Sequence, residues 1–170
     1  MTNSPFSITP ELPKHFDDID TLTQLIFGPG MFARAAYRLR EGIMPEADLS
    51  FVATEGTRII GTVRQTRILI GDRPALLLGP LGVLPDHNNK GIGKALMQRA
   101  ISAAKDNSTA SKAEVILLVG DHAYYAPFGF KQAAAEKISM PRPVDIGRTL
   151  VLELREGALA NISGEVLRWR

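Results

Sequence analysis

The sequence predicts a mixed α+β fold: a central twisted sheet, mostly antiparallel, flanked by helices and containing one βαβ unit. Three observations carry this expectation. Alternating and apolar runs punctuated by turn residues dominate residues 49–84, the pattern of consecutive antiparallel strands. One long segment, 91–106, repeats its apolar residues at helical spacing. That helix stands between two apolar runs, 75–84 and 113–119, which a right-handed crossover lays parallel in one sheet.

In chain order, Phe6-Ser7-Ile8-Thr9 alternates and reads as a short first strand, ended by Pro10 and Pro13. Phe16, Ile19, Leu22, Leu25 and Ile26 share helical spacing over 16–27, with Asp17, Asp18 and Asp20 in the first turns. Gly28-Pro29-Gly30 breaks this helix. Residues 31–40 read as a second helix and 42–48 as a loop. Strands follow over 49–54, 58–70 and 75–84, separated by turns at Glu55-Gly56-Thr57 and Gly71-Asp72-Arg73-Pro74. The third is apolar enough to be covered on both faces. The helix over 91–106 has an apolar face of Ile92, Leu96, Ala100 and Ala103, with Met97, Ile101 and Ala104 beside it. A polar loop over 107–112 leads into a buried strand, 113–119, and a short helix, 121–126, stopped before Pro127. Strands over 128–133 and 149–155 complete the reading. Pro141-Arg142-Pro143 marks a loop, and a single domain over 5–168 is expected.

With 170 residues, 45% apolar and 22% charged, the chain has material for a full core and is not a disordered polar sequence. It has no cysteine, hence no disulfide, thiol nucleophile or Cys-based metal site. Three histidines without HExxH-type spacing argue against any metal site. No basic segment followed by an apolar run opens the chain, and no stretch nears the roughly 20 apolar residues of a membrane span. A cytoplasmic protein with no membrane partner is expected. The formal net charge is +2 with Lys and Arg scattered, unlike the concentrated stripe of a nucleic-acid binder. Arg34, Arg38 and Arg40 form the nearest thing to a cluster and read as a solvated helix face.

The most informative stretch runs from Leu81 to Leu96. A buried strand ends at Pro85, a short polar loop leads into Gly91 and Gly93, and a helix opens behind them. Glycines let the backbone turn and let a ligand approach without a Cβ in the way. The free N–H groups and positive dipole end of the helix then form an anion site suited to phosphate, with Lys90 and Lys94 at its rim. Two other phosphate loops are excluded. A P-loop needs Gly-Lys-Ser/Thr. A dinucleotide fingerprint needs a small residue where Leu96 stands, and a βαβ unit that opens a parallel sheet.

Val83-x-Pro85 through Asn88-x-x-Gly91-x-Gly93 resembles the acetyl-CoA motif of GCN5-related N-acetyltransferases (GNAT), and Tyr125-Ala126-Pro127-Phe128-Gly129-Phe130 is similar to that family's Tyr-x-x-x-Gly-Phe signature. The pair Tyr124-Tyr125 and the segment from Leu152 to Ala158 resemble the YhbS-like branch. The resemblance implies a GNAT-like fold and acetyl-CoA as co-substrate, with no metal. It implies that the strand before the loop splays from its neighbour, so that backbone groups of Leu81 and Val83 bind the pantetheine arm. Gly79-Pro80 in that strand points independently to a bulge or a parting, since proline lacks the N–H of an ordinary ladder. The pyrophosphate would lie on the N–H groups of Asn89, Lys90, Gly91, Ile92, Gly93 and Lys94, with Asn88 where the family usually has Gln or Arg. Tyr125 matches the family's general acid, which protonates the departing thiolate. Tyr124, about 100° away on a helix, would face elsewhere.

The same resemblance leaves the general base open. Relatives often place an acid on the strand before the loop, and 75–83 has none. Water, a backbone carbonyl, His122, Asp121 or Glu46 are the alternatives. Asp121 also reads as a helix cap, and His122 and His87 as exposed loop residues. Specificity is expected in 28–48 and 136–148. Arg64 and Arg67, on opposite faces of their strand, read as solvated. The leading expectation is transfer of an acetyl group to a primary amine, small molecule or peptide. A non-catalytic acyl-CoA-binding regulatory module is the second reading. A nucleic-acid or ribosome-associated protein is the third, resting only on an isoelectric point near 9. A homodimer through the C-terminal strands is also expected, because Val166 to Trp169 would otherwise leave apolar surface exposed.

Overall fold

Apolar alternation along the chain builds one sheet, of nine strands among the described residues. The structure is a computed structural model that describes residues 5–30, 34–107, 111–134, 137–141 and 144–170. The elements are β1 (Ser7–Pro10), α1 (Phe16–Phe27), α2 (Ala35–Arg40), β2 (Phe51–Glu55), β3 (Arg58–Ile70), β4 (Arg73–Val83), α3 (Ile92–Asp106), β5 (Val115–Val119), α4 (His122–Tyr125), β6 (Lys131–Gln132), β7 (Ile138–Ser139), β8 (Thr149–Glu153) and β9 (Gly164–Arg168). The main sheet order is β1-β2-β3-β4-β5-β8-β6. Every neighbouring pair on that path is antiparallel except β4 and β5, which the α3 crossover makes parallel. The mixed, mostly antiparallel sheet flanked by helices agrees with the sequence expectation.

Period-two alternation divides β4 and β5 between two cores. Leu76, Leu78, Ile116 and Leu118 join the cluster that holds α1 and α3, while Ala75, Leu77, Val115 and Leu117 join Leu39, Ile162 and Val166. Both strands are therefore covered on both faces, as their uninterrupted apolar sequence requires.

The differences from the sequence reading have local causes. α2 begins at Ala35, and residues 31–33 of the expected helix lie outside the described residues, as do 108–110 of the loop after α3. The strand expected over 128–133 shrinks to β6, because Pro127 and Gly129, with φ 98°, hold Ala126–Phe128 in a 3-10 turn. The strand expected over 149–155 ends at Glu153. β7 and β9 were not anticipated. β9 pairs with β3 at Ile68, Leu69 and Ile70, and Val166 is fully buried. Trp169 lies beside the Arg67 guanidinium, 5.3 Å from ring centroid to Cζ. The tail that was expected to need a second copy is thus covered within the chain, and it gives no reason for a dimer.

Arg64 and Arg67 are ion-paired rather than solvated. Arg64 grips Glu11 with Nε at 2.9 Å and Nη2 at 2.6 Å from Oε1, and Arg67 Nε lies 3.0 Å from Glu46. Glu11 is only 3% exposed, so its removal leaves a largely buried guanidinium without its main partner. Glu11→Ala is expected to lower stability by about 3 kcal/mol, read as a shift in the urea midpoint at unchanged slope.

Candidate active site

β4 and β5 pair at Leu76↔Ile116 and Leu77↔Leu117, with Glu114 N–H donating to the Pro74 carbonyl at 3.2 Å, and past Leu77 and Leu117 they part. The cause lies in β4. Across from Arg64, between the pairs Val63↔Leu81 and Gln65↔Leu78, β4 carries Gly79 and Pro80 where β3 has one residue. The bulge anticipated from Gly79-Pro80 is present. Leu84 N–H donates to the Ile60 carbonyl at 2.9 Å, so positions 82 and 84 turn their polar groups to β3. Leu81 and Val83, out of phase with them, turn theirs toward the parting.

A cavity of about 660 Å³ opens there. Leu78, Gly79, Pro80 and Leu81 form one wall, and Leu118, Val119 and Tyr125 the other. Phe27, Arg34, Ala35, Ala36 and Arg40 reach it from the helical side, and Val144, Asp145 and Arg148 from the segment before β8.

At the far end of β4 the chain makes a 3-10 turn over Pro85–His87 and then the loop of 88–91. Asn89 and Gly91 both take left-handed conformations, with φ 63° and 79°. The first described backbone bond of α3 runs from Ala95 N–H to the Gly91 carbonyl, at 3.0 Å. The N–H groups of Ile92, Gly93 and Lys94 therefore precede the helical ladder and are free to meet an anion. The Ile92 side chain is buried in the core and anchors the turn, while Asn88, Asn89, Lys90, Gly91 and Lys94 are exposed.

Asp121 caps α4 by accepting from Ala123 N–H at 3.1 Å, which sets the direction of the two tyrosines. Tyr125 faces the cavity, its ring centroid 6.0 Å from that of Phe130. Burial pushes its phenol pKa up to about 12, Tyr124 adding to the rise and Arg148 opposing it. Tyr124 stacks edge-on against it at 4.8 Å and is 45% exposed. Its hydroxyl lies over the first turn of α3, 2.9 Å from where a Cβ on Gly93 would stand. Gly93 thus has a second job besides opening the helix: it admits the Tyr124 hydroxyl.

The sequence model for the acetyltransferase (GNAT) domain matches residues 46–132, the stretch that holds the parting, the loop and Tyr125. The chain belongs to the GNAT family. It is accordingly an acyltransferase with acetyl-CoA as co-substrate. Solved GNAT structures share the fold. Escherichia coli YhbS in complex with CoA superposes with TM-score 0.83 at 22% identity, over 99% of this chain and 92% of that one. A Brucella melitensis GNAT acetyltransferase in complex with acetyl-CoA gives 0.69 at 22% identity, over 98% and 97%. The ribosomal-protein-S18-alanine N-acetyltransferase of E. coli gives 0.61 at 17% identity, over 89% and 96%. A comparison with curated protein sequences finds no match.

The candidate bases of this GNAT chain do not meet at the cavity. Asp121 serves the cap, His122 is exposed, and Glu46 pairs with Arg67. The cavity's carboxylate among the described residues is Asp145, whose Oδ1 accepts from Gly147 N–H at 3.1 Å. His87 is not an exposed loop residue: it is 6% exposed, with Nδ1 2.7 Å from Asp86 and Nε2 3.4 Å from Glu55. The hydrogen bond from His87, before any other cause, holds the Asp86 carboxyl below its usual range. The contact of His87 Nε2 with Glu55 fastens the turn beneath the glycine loop to the β2–β3 hairpin. Sequence reasoning missed Arg40 and Asp145 individually, although both fall in the segments marked for specificity. The Arg34, Arg38 and Arg40 cluster does not share one solvated face. Arg34 and Arg38 are exposed, Arg34 at the cavity's rim, while Arg40 is half-buried and lines it. Among the described residues no group of His, Asp or Glu could hold a metal ion, and no helix is long and apolar enough to cross a membrane.

Proposed function

We propose that this chain moves an acetyl group from acetyl-CoA directly to a primary amine, with Tyr125 as general acid. The observation that carries the reading is the meeting, in one cavity, of the parted strand β4 and the Tyr125 phenol. The pantetheine arm would bind the unpaired backbone groups of Leu81 and Val83 as another strand would. The pyrophosphate would rest on the loop from Asn88 to Lys94, within reach of Lys90 and Lys94.

The amine must be neutral to attack. Three guanidinium groups on the cavity wall, Arg34, Arg40 and Arg148, oppose an ammonium ion and lower its pKa. Asp145 would take the proton, directly or through water. The amine nitrogen then attacks the thioester carbonyl carbon, the C–N bond forms, and the C–S bond breaks. The thiolate leaves with a proton from Tyr125, and the proton that the nitrogen sheds as the amide forms returns through water to the phenolate. A phenol held near pKa 12 keeps its proton throughout the neutral range and is available at that moment. The S18-alanine acetyltransferase neighbour acts on an alanine of a protein, so a peptide amine fits this fold as well as a small molecule does.

The second reading, an acyl-CoA-binding regulatory module, is favoured by the absence of an acidic residue between Ala75 and Val83. Thiol release separates the two. Acetyl-CoA incubated with the protein and a panel of primary amines should yield free CoA and acetylated amine by mass spectrometry. Tight acetyl-CoA binding with no product from any amine would leave the binding module as the answer.

A further inference from the structure

Arg40 is the last residue of α2, and its guanidinium lies against the bulge of β4. Nη1 is 3.0 Å from where a Cβ on Gly79 would stand, so glycine at that position makes room for it. It borders the cavity on one side, and on the other a recess lined by Asp20, Tyr37, Glu41 and Arg64. Of the acids of this neighbourhood, Glu41 is exposed and does not act on the Arg40 charge, and the others serve other arginines. Glu11 and Asp20 pair with Arg64, and Glu46 pairs with Arg67. No carboxylate among the described residues raises the pKa of Arg40. Burial above all, then Arg64, with Arg34 adding, pulls it down to about 10, and Tyr37 acts in the opposite direction. On the cavity wall Arg34 and Arg148 add two more cations, against one carboxylate among the described residues, that of Asp145. A half-buried cation without a carboxylate to pair with is costly. An anion arriving with the ligand would offset that cost, and a guanidinium fork suits a carboxylate or phosphate bidentately.

We propose that the acceptor is a primary amine that also carries a carboxylate or phosphate group, and that Arg40 binds this group. The inference rests on the acetyltransferase reading. The phosphates of acetyl-CoA are not the anion in question. With the bulge, Gly79 and Val83 stand about 11 Å apart along β4, and the glycine loop lies beyond Val83. An acceptor held at Arg40 would place its anion at the α2 side of the cavity and its amine toward Tyr125. The anion is what brings the substrate in, and the remaining positive charge still opposes protonation of the amine.

The test uses the CoA-saturated protein and matched amines: β-alanine against β-alaninamide, and O-phosphoethanolamine against ethanolamine. Calorimetry reads binding, and thiol release with acetyl-CoA reads turnover. In the wild type the anionic member of a pair should bind about thirty-fold more tightly than its neutral partner. The pair that shows the difference separates carboxylate from phosphate. Arg40→Gln should erase the difference while CoA affinity stays within about two-fold, and Arg40→Lys should restore part of it. Equal binding of anionic and neutral members, or no binding of any anionic member to a protein that holds CoA, would overturn the proposal and leave the acetyltransferase reading standing. Failure to bind CoA would instead remove the reading on which it rests.

Discussion

Gly91→Glu is expected to lower acetyl-CoA affinity by about a hundred-fold or more in calorimetric titration, with the circular dichroism spectrum unchanged. Two effects add. Gly91 has φ 79°, where a residue with a side chain costs about 1–2 kcal/mol. The new carboxylate would also stand at the N-terminus of α3, beside the N–H groups proposed to hold the pyrophosphate. Like charges about 5 Å apart at an effective dielectric of about 20 repel by roughly 3 kcal/mol, before screening by salt. A steric clash within the protein is not the cause, because a Cβ at Gly91 meets nothing within 4 Å. Gly91→Gln distinguishes the two effects. Glutamine keeps the size and the backbone strain of glutamate but adds no charge, so it should recover most of the lost affinity. Equal losses in both variants would make the effect one of backbone strain. Wild-type affinity in Gly91→Glu would mean that the phosphates bind elsewhere.

Tyr125→Phe is expected to reduce kcat by about 10²- to 10³-fold, with KM for acetyl-CoA changed by no more than about two-fold. The ring contacts with Phe130 and Tyr124 survive the substitution, and only the hydroxyl is lost. The pH profile gives an independent check. With the phenol pushed up to about 12 by burial, kcat/KM should show no alkaline fall from this group below about pH 10. Below its pKa the phenol carries its proton and acts as the acid; only above it is that proton lost. An alkaline fall centred near pH 8 that disappears in Tyr125→Phe would show a far more acidic phenol. The same fall persisting in the variant, with kcat intact, would assign the acid to another group.

Parts of the site were legible because they are written in backbone chemistry. Gly91 and Gly93 ahead of an amphipathic helix mark a loop whose N–H groups are free, whatever packs around it. Gly79-Pro80 marks a break in a ladder, because proline lacks the donor that a ladder needs. Asp121 two residues before Ala123 reads as a cap and is one. Side chains whose environment is assembled from distant segments were not legible. Nothing local tells that Glu11 waits for Arg64, 53 positions away, or Glu46 for Arg67. His87 sits in a run of polar residues and looks exposed, yet Asp86 and Glu55 enclose it. Arg40 belongs to a sequence cluster that resembles any solvated helix face, and its burial depends on where the bulge of β4 falls against the end of α2.

By itself the sequence determined the period of each long element, the crossover that makes β4 and β5 parallel, and the glycine loop at the head of α3. These follow from local rules: side-chain alternation, helical spacing and the φ range open to glycine. Only the tertiary structure decided that β9 pairs with β3 and covers the tail, that the Tyr124 hydroxyl lies over Gly93, and that Arg40 faces the cavity with no carboxylate paired to it. Those outcomes depend on which distant segments meet. The physical reason is that burial and charge pairing are properties of a place in the fold, and no single stretch of chain specifies that place.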